Sequence, residues 1–136
     1  MRRLAGRLAA AMAIALLGTA GAQASCWDHN GSVMRLDSRG ESFTIKYERP
    51  RKGLRASGVR RGTLLVDGRY TSNGLAATAR RFSRHCVGRP LEYDVDGYFE
   101  GDYTIYLAGT RPVYKACQPT GRSAYDELTF DFIGDC

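Results

Sequence analysis

Leu91-Glu92-Tyr93-Asp94-Val95-Asp96 and Tyr103-Thr104-Ile105-Tyr106-Leu107 alternate apolar and polar side chains one by one, with Glu100-Gly101 lying between them. A period of two puts Leu91, Tyr93 and Val95 on one face of an extended strand, and Glu92, Asp94 and Asp96 on the other. The two runs therefore read as an antiparallel hairpin turning near Glu100-Gly101. Phe43, Ile45 and Tyr47 repeat the pattern against Thr44, Lys46 and Glu48, and so do Leu128, Phe130 and Phe132. Val33–Leu36, Thr63–Val66, Leu75–Phe82 and Val113–Cys117 are less regular strand candidates. His29-Asn30-Gly31, Ser38-Arg39-Gly40, Asp67-Gly68, Ser72-Asn73-Gly74, Asp96-Gly97 and Thr120-Gly121 supply turn chemistry between them.

Only Leu75–Arg84 is ambiguous, because its alanines and arginines favour a helix. No other stretch of the presumed mature chain sustains a helical apolar stripe. Seven to eight short strands at this spacing predict an all-β fold, a small antiparallel barrel or sandwich. Its expected core is Phe43, Ile45, Leu64, Val66, Tyr93, Val95, Ile105, Leu107, Phe130 and Phe132. Tyr47 and Tyr103 fall on inferred core faces too.

Residues 1–24 read as a secretory signal. Arg2, Arg3 and Arg7 precede an apolar run from Leu8 to Leu17, and Ala22-Gln23-Ala24 offers a small-x-small cleavage pattern. The run is too short for a stable membrane anchor, so no transmembrane segment is expected in the mature chain. Residues 25–136 are then a single β-domain, periplasmic or secreted. Export to an oxidising compartment makes the four cysteines candidates for two disulfides. Cys86 and Cys117 lie almost symmetrically outside the hairpin. Matching its apolar faces requires paired residue numbers with an even sum, such as Val95 with Leu107. The two cysteines are one residue out of step, which a bulge could absorb. Cys86–Cys117 with Cys26–Cys136 is the predicted pairing, the second bridge tying the domain's ends together.

The whole chain carries 20 Lys/Arg against 14 Asp/Glu, and losing three arginines with the signal leaves +3. That is too mild to imply nucleic-acid binding. Residues 46–89 hold twelve Lys/Arg against Glu48 and Asp67, whereas residues 90–136 hold nine Asp/Glu against Arg111, Lys115 and Arg122. The halves could neutralise one another across a folded domain, or leave a basic face for an acidic partner. Arg49, Arg51, Lys52, Arg55, Arg60 and Arg61 form the densest cationic stretch and are the candidate binding loop. Tyr98, Phe99 and Tyr106, near the hairpin tip, are a candidate aromatic contact site.

Catalytic signatures are weak. Asp28, His29 and Ser32 are neighbours in a glycine-containing turn, whereas triad members come from separate segments. His85 reads as a surface residue at a strand end. Asp94–Asp102 clusters four acids but lacks the spacing of a calcium loop. The sequence implies no catalytic residue, no metal centre and no cofactor.

Trp27-Asp28-His29-Asn30-Gly31-Ser32-Val33-Met34 carries a resemblance, together with Tyr47, Pro50-Arg51, Gly58-Val59, Gly62–Leu65, Asp67-Gly68, Thr78-Ala79 and Phe82. These residues resemble an uncharacterised family of small secreted proteins of rhizobia-like alphaproteobacteria, whose segments also occur beside caspase-like domains. A place beside a catalytic domain implies binding rather than catalysis. The expectation is an exported, non-enzymatic domain that recognises a protein or an anionic envelope partner, a glycan or lipid headgroup, with no nucleic acid expected. An inhibitor of a lysozyme or protease is the alternative, and a small hydrolase a more remote one.

Overall fold

A computed structural model describes residues 23–136. Eight strands follow in chain order: β1 (Gln23–His29), β2 (Ser32–Arg39), β3 (Ser42–Arg49), β4 (Leu64–Thr71), β5 (Gly74–Arg81), β6 (Leu91–Glu100), β7 (Thr104–Lys115) and β8 (Gln118–Asp135). Each pairs antiparallel with the next, and β8 pairs back onto β1 through Ser25–Asp28, closing a barrel. The barrel is all-β and stapled by Cys26–Cys136 and Cys86–Cys117, with Cα separations of 5.0 and 5.4 Å. Residues 1–22 of the predicted signal, 1–24, lie outside the described residues. Gln23 and Ala24, read as its end, pair in β1 with Ser38 and Asp37.

An eight-stranded barrel has an interior just wide enough for side chains to fill. Trp27, Met34, Phe43, Ile45, Val66, Leu75, Ile105, Leu107 and Phe130 fill this one, all nearly or fully buried. The outward positions, such as Lys46 and Glu48 on β3 or Glu92, Asp94 and Asp96 on β6, are charged. An apolar inside with a charged outside is the inverse of a lipid-facing barrel wall.

The strand candidate at Leu75–Phe82, left ambiguous with helix, is strand over Gly74–Arg81, because pairing with β4 and β6 satisfies its backbone and its alternate residues Leu75 and Ala79 are buried. Several other sequence expectations are corrected. Val113–Lys115 continues β7 and is no separate strand. The hairpin turns at Gly101–Tyr103, pairing Gly97 with Leu107 where Val95 was expected. A two-residue slip keeps every side chain on its predicted face. Tyr103 thereby enters the turn and is 67 % exposed. Leu65, not Leu64, joins the core, because a bulge opposite Ile45 and Lys46 inserts one extra residue into β4.

Asp67-Gly68, Asp96-Gly97 and Thr120-Gly121 are not turns but lie inside β4, β6 and β8. Gly97 shows why. A Cβ there would strike the carbonyl of Tyr106, while the Gly97 carbonyl itself faces Gly74. Glycine at 68 and 97 allows neighbouring strand backbones to approach closely.

Candidate functional site

Antiparallel alternation sends every second connection to the same end of the barrel. The β1–β2 turn, the long β3–β4 connection, the β5–β6 connection and the β7–β8 turn share one end. Together those four connections carry Arg51, Lys52, Arg55, Arg60, Arg61, Arg84 and Arg89, and no Asp or Glu. The three connections at the opposite end carry Glu41 and Asp102 and no Lys or Arg. The charge asymmetry seen along the chain is thus sorted by barrel end.

The β3–β4 connection is held firmly. Its one short 3-10 turn, Leu54–Ser57, is bracketed by Gly53 and Gly58, both at positive φ where glycine is unstrained. Val59 is buried and Leu54 packs against the core, so the apolar residues anchor the loop while its cations point outward. The Tyr47 amide donates to the Thr63 carbonyl at 2.9 Å, and the Gly62 amide to the Tyr47 carbonyl at 2.7 Å. Arg60 folds its guanidinium back onto the carbonyls of Arg55 and Val59. A shallow depression of about 430 Å3 results, edged by Arg51, Lys52, Arg55, Arg60 and Arg61. Beyond Gly58, Val87 of the β5–β6 connection lies so close that an added Cβ would sit 3.0 Å from its Cγ1, so the two cationic connections touch.

The Trp-x-His-Asn-Gly-Ser element has a structural role here. Asn30 and Gly31 take positive φ in the β1–β2 hairpin turn. His29 stacks on Phe130 with centroids 4.5 Å apart, its Nδ1 2.9 Å from the Thr129 carbonyl. The buried Ser32 hydroxyl accepts the Arg51 amide at 2.9 Å and so fixes where the basic loop begins. Burial, reinforced by the Arg51 charge, holds the His29 pKa below its ordinary value, against the pull of Asp28 and the Thr129 carbonyl. Ser32 and His29 are therefore both engaged with backbone groups, and not with each other. His85 is exposed, as its sequence position suggested.

Partial neutralisation does occur, but along the strands. Arg80 at the end of β5 pairs with Asp67 and Glu92, and Arg81 with Asp126. Among the described residues, the loop cations make one ion pair, Arg61 with Glu48 at 2.8 Å, and Arg61 is 76 % exposed there. An exposed pair of that kind contributes at most about 1 kcal/mol. Arg49, Arg51, Lys52, Arg55 and Arg60 have no carboxylate partner among the described residues.

The aromatic candidates do not join this site. Their hairpin tip is at the other end of the barrel, and adjacent residues point to opposite faces. Tyr98 and Tyr106 meet on the outer wall, ring centroids 5.4 Å apart, and the neighbouring Tyr125 hydroxyl, then burial and the Glu127 carboxylate, raise the Tyr106 pKa. Phe99 faces the barrel's end instead and stacks towards Tyr70 at 6.3 Å.

Residues that the sequence reading did not single out gather around the Cys86–Cys117 bridge. Arg111 on β7 places Nε 2.7 Å from Asp126 of β8, and Arg81 reaches the same carboxylate at 3.5 Å. Burial, and then Asp126, push the Tyr93 pKa up strongly. The predicted bridge was the available signal, since joining residue 86 to 117 carries Arg81 and Arg89 towards Arg111 and Tyr114.

Comparison with protein-family models, curated proteins and solved structures finds no match. Among the described residues no helix is long and apolar enough to cross a membrane, and no three His, Cys, Asp or Glu side chains converge as a metal site.

Proposed function

We propose that this protein is a non-enzymatic binding module, exported to the periplasm or beyond, whose basic barrel end docks an anionic macromolecular partner. One observation carries the reading: four connections at one end hold seven Lys/Arg and no Asp/Glu. Summed over one surface, such charge attracts and orients an acidic partner over distances that single contacts cannot reach. The firm anchoring of the loop by Val59, Leu54 and Ser32 supports recognition by a preformed surface. It also reduces the ordering entropy that binding would otherwise incur. The filled interior and the structural engagement of His29 and Ser32 support binding over catalysis. The disulfides support an exported role, in keeping with the family resemblance of the Trp27–Met34 element.

Binding to polyglutamate, dextran sulfate and phosphatidylglycerol vesicles, followed as salt is raised, tests the proposal and separates acidic protein, glycan and lipid partners. Screening shortens from about 10 Å at 0.1 M salt to about 3 Å at 1 M, so association should slow markedly across that range. The Arg51→Ser, Lys52→Ser, Arg55→Ser triple variant should bind more slowly with an unchanged circular dichroism spectrum. Binding to all three probes that ignores both salt and the triple substitution would refute the docking role.

A further inference from the structure

The cleft beside the Cys86–Cys117 bridge is distinct from the basic loop and the tyrosine pair. It encloses about 250 Å3 between the end of β5, the β5–β6 connection and the outer part of the β7–β8 hairpin. Arg81, Arg89 and Arg111 line it together with Phe82, Leu91 and Tyr114, and no carboxylate does. Both sulfur-bearing residues of the bridge belong to its wall.

Asp126 holds two of the three guanidinium groups from behind. Its carboxylate accepts from Arg111 at 2.7 Å and approaches Arg81 at 3.5 Å, and it offsets one positive charge. Arg89 has no carboxylate partner among the described residues. Three cations against one anion leave two positive charges in excess in a partly enclosed space. There, electrostatic attraction exceeds its value in open water.

We propose that this cleft binds a phosphate monoester, with the phosphoryl oxygens among Arg81, Arg89 and Arg111 and the ester's carbon group against Phe82, Leu91 and Tyr114. The charge balance selects this ligand class. A monoester carries about −1.5 to −2 at pH 7, whereas a lone carboxylate would leave one positive charge uncompensated. Guanidinium groups present planar forks that match phosphate oxygens in pairs. The apolar wall favours an ester over inorganic phosphate, because it gives the organic group surface to bury. The Cys86–Cys117 bridge fixes Arg89 relative to Arg111 by tying their segments together. The same chemistry is presented by a soluble phosphorylated compound and by a lipid phosphate headgroup.

Calorimetric titration of the oxidised protein with phenyl phosphate, inorganic phosphate and benzyl alcohol tests the site. Phenyl phosphate should bind more tightly than inorganic phosphate, and benzyl alcohol should not compete. Arg89→Gln touches an exposed side chain outside any ion pair and should preserve the fold. It should weaken phenyl phosphate about tenfold or more through loss of charge-assisted hydrogen bonds. Arg81→Gln should act in the same direction, and reduction of the bridge should weaken binding as well. The triple loop variant at Arg51, Lys52 and Arg55 should bind phenyl phosphate unchanged, which keeps failure of the cleft separate from failure of the loop. Phosphatidylcholine vesicles with and without phosphatidic acid identify the source. Recruitment by phosphatidic acid that Arg89→Gln abolishes marks a lipid headgroup, and phenyl phosphate binding without such recruitment marks a soluble monoester. Equal phenyl phosphate affinity in the wild type, Arg89→Gln and Arg81→Gln would overturn the proposal, as would loss confined to the loop variant.

Discussion

Replacing Asp126 with alanine should be among the most damaging single polar changes in this barrel. The Asp126 and Arg111 side chains are only 18 % and 13 % exposed, so water cannot readily replace the lost carboxylate. Breaking a sheltered pair by removing one partner costs about 3–5 kcal/mol, because the remaining charge stays desolvated. Arg81, more than half exposed, can hydrate and adds little. The expected total is therefore about 4 kcal/mol. With a urea slope near 2 kcal/mol/M for a domain of this size, the unfolding midpoint should fall by about 2 M. Glu48→Ala is the internal control: it removes an exposed partner of Arg61 and should cost about 0–1 kcal/mol. Converting the pair to Arg111→Met with Asp126→Leu should recover most of the loss, since apolar groups carry no desolvation penalty. Urea unfolding of the oxidised proteins by tyrosine and tryptophan fluorescence measures all three. If Asp126→Ala loses no more than Glu48→Ala, the sheltered ion pair is not what holds β7, β8 and β5 together here.

Phe130→Ala removes a fully buried ring stacked on His29 and should cost about 3–5 kcal/mol, read from the same urea curves. Stability should also fall on acidification. The native His29 pKa lies below 6.5 and the unfolded one near it, so the unfolded chain binds the proton first. The histidine's contribution is therefore complete above pH 6.5 and is lost as pH drops below it. The difference in pH slope between wild type and His29→Gln isolates it, and identical slopes would contradict the burial argument. Removing Cys26–Cys136, 110 residues apart, should destabilise by about 5 kcal/mol on the chain-entropy model, and removing Cys86–Cys117, 31 apart, by about 4. Paired Cys→Ala variants in thermal unfolding check that ordering.

Alternation alone placed Phe43, Ile45, Tyr93, Val95, Ile105, Leu107 and Phe130 on the buried face, because a strand's period of two is a local property of the backbone. The same locality explains the failures. Leu64 and Leu65 exchange places because of a bulge that depends on the partner strand. Gly68 and Gly97 resemble turn residues until the neighbouring carbonyls that a Cβ would strike are known. The cysteine pairing was legible because the hairpin between residues 86 and 117 is itself a local unit. The basic stretch Arg49–Arg61 was equally plain as composition, but its freedom from the C-terminal acids was not. Those acids compensate strand-end arginines such as Arg80 and Arg81 and leave the loop cations alone. Antiparallel alternation brings Arg51, Arg84 and Arg89 to one end, and the pairing of β5 through β8 brings Arg81, Arg111 and Asp126 into one cluster. Which distant strands become neighbours depends on pairing across the entire chain, and Coulomb interactions follow distance in space rather than separation along the sequence.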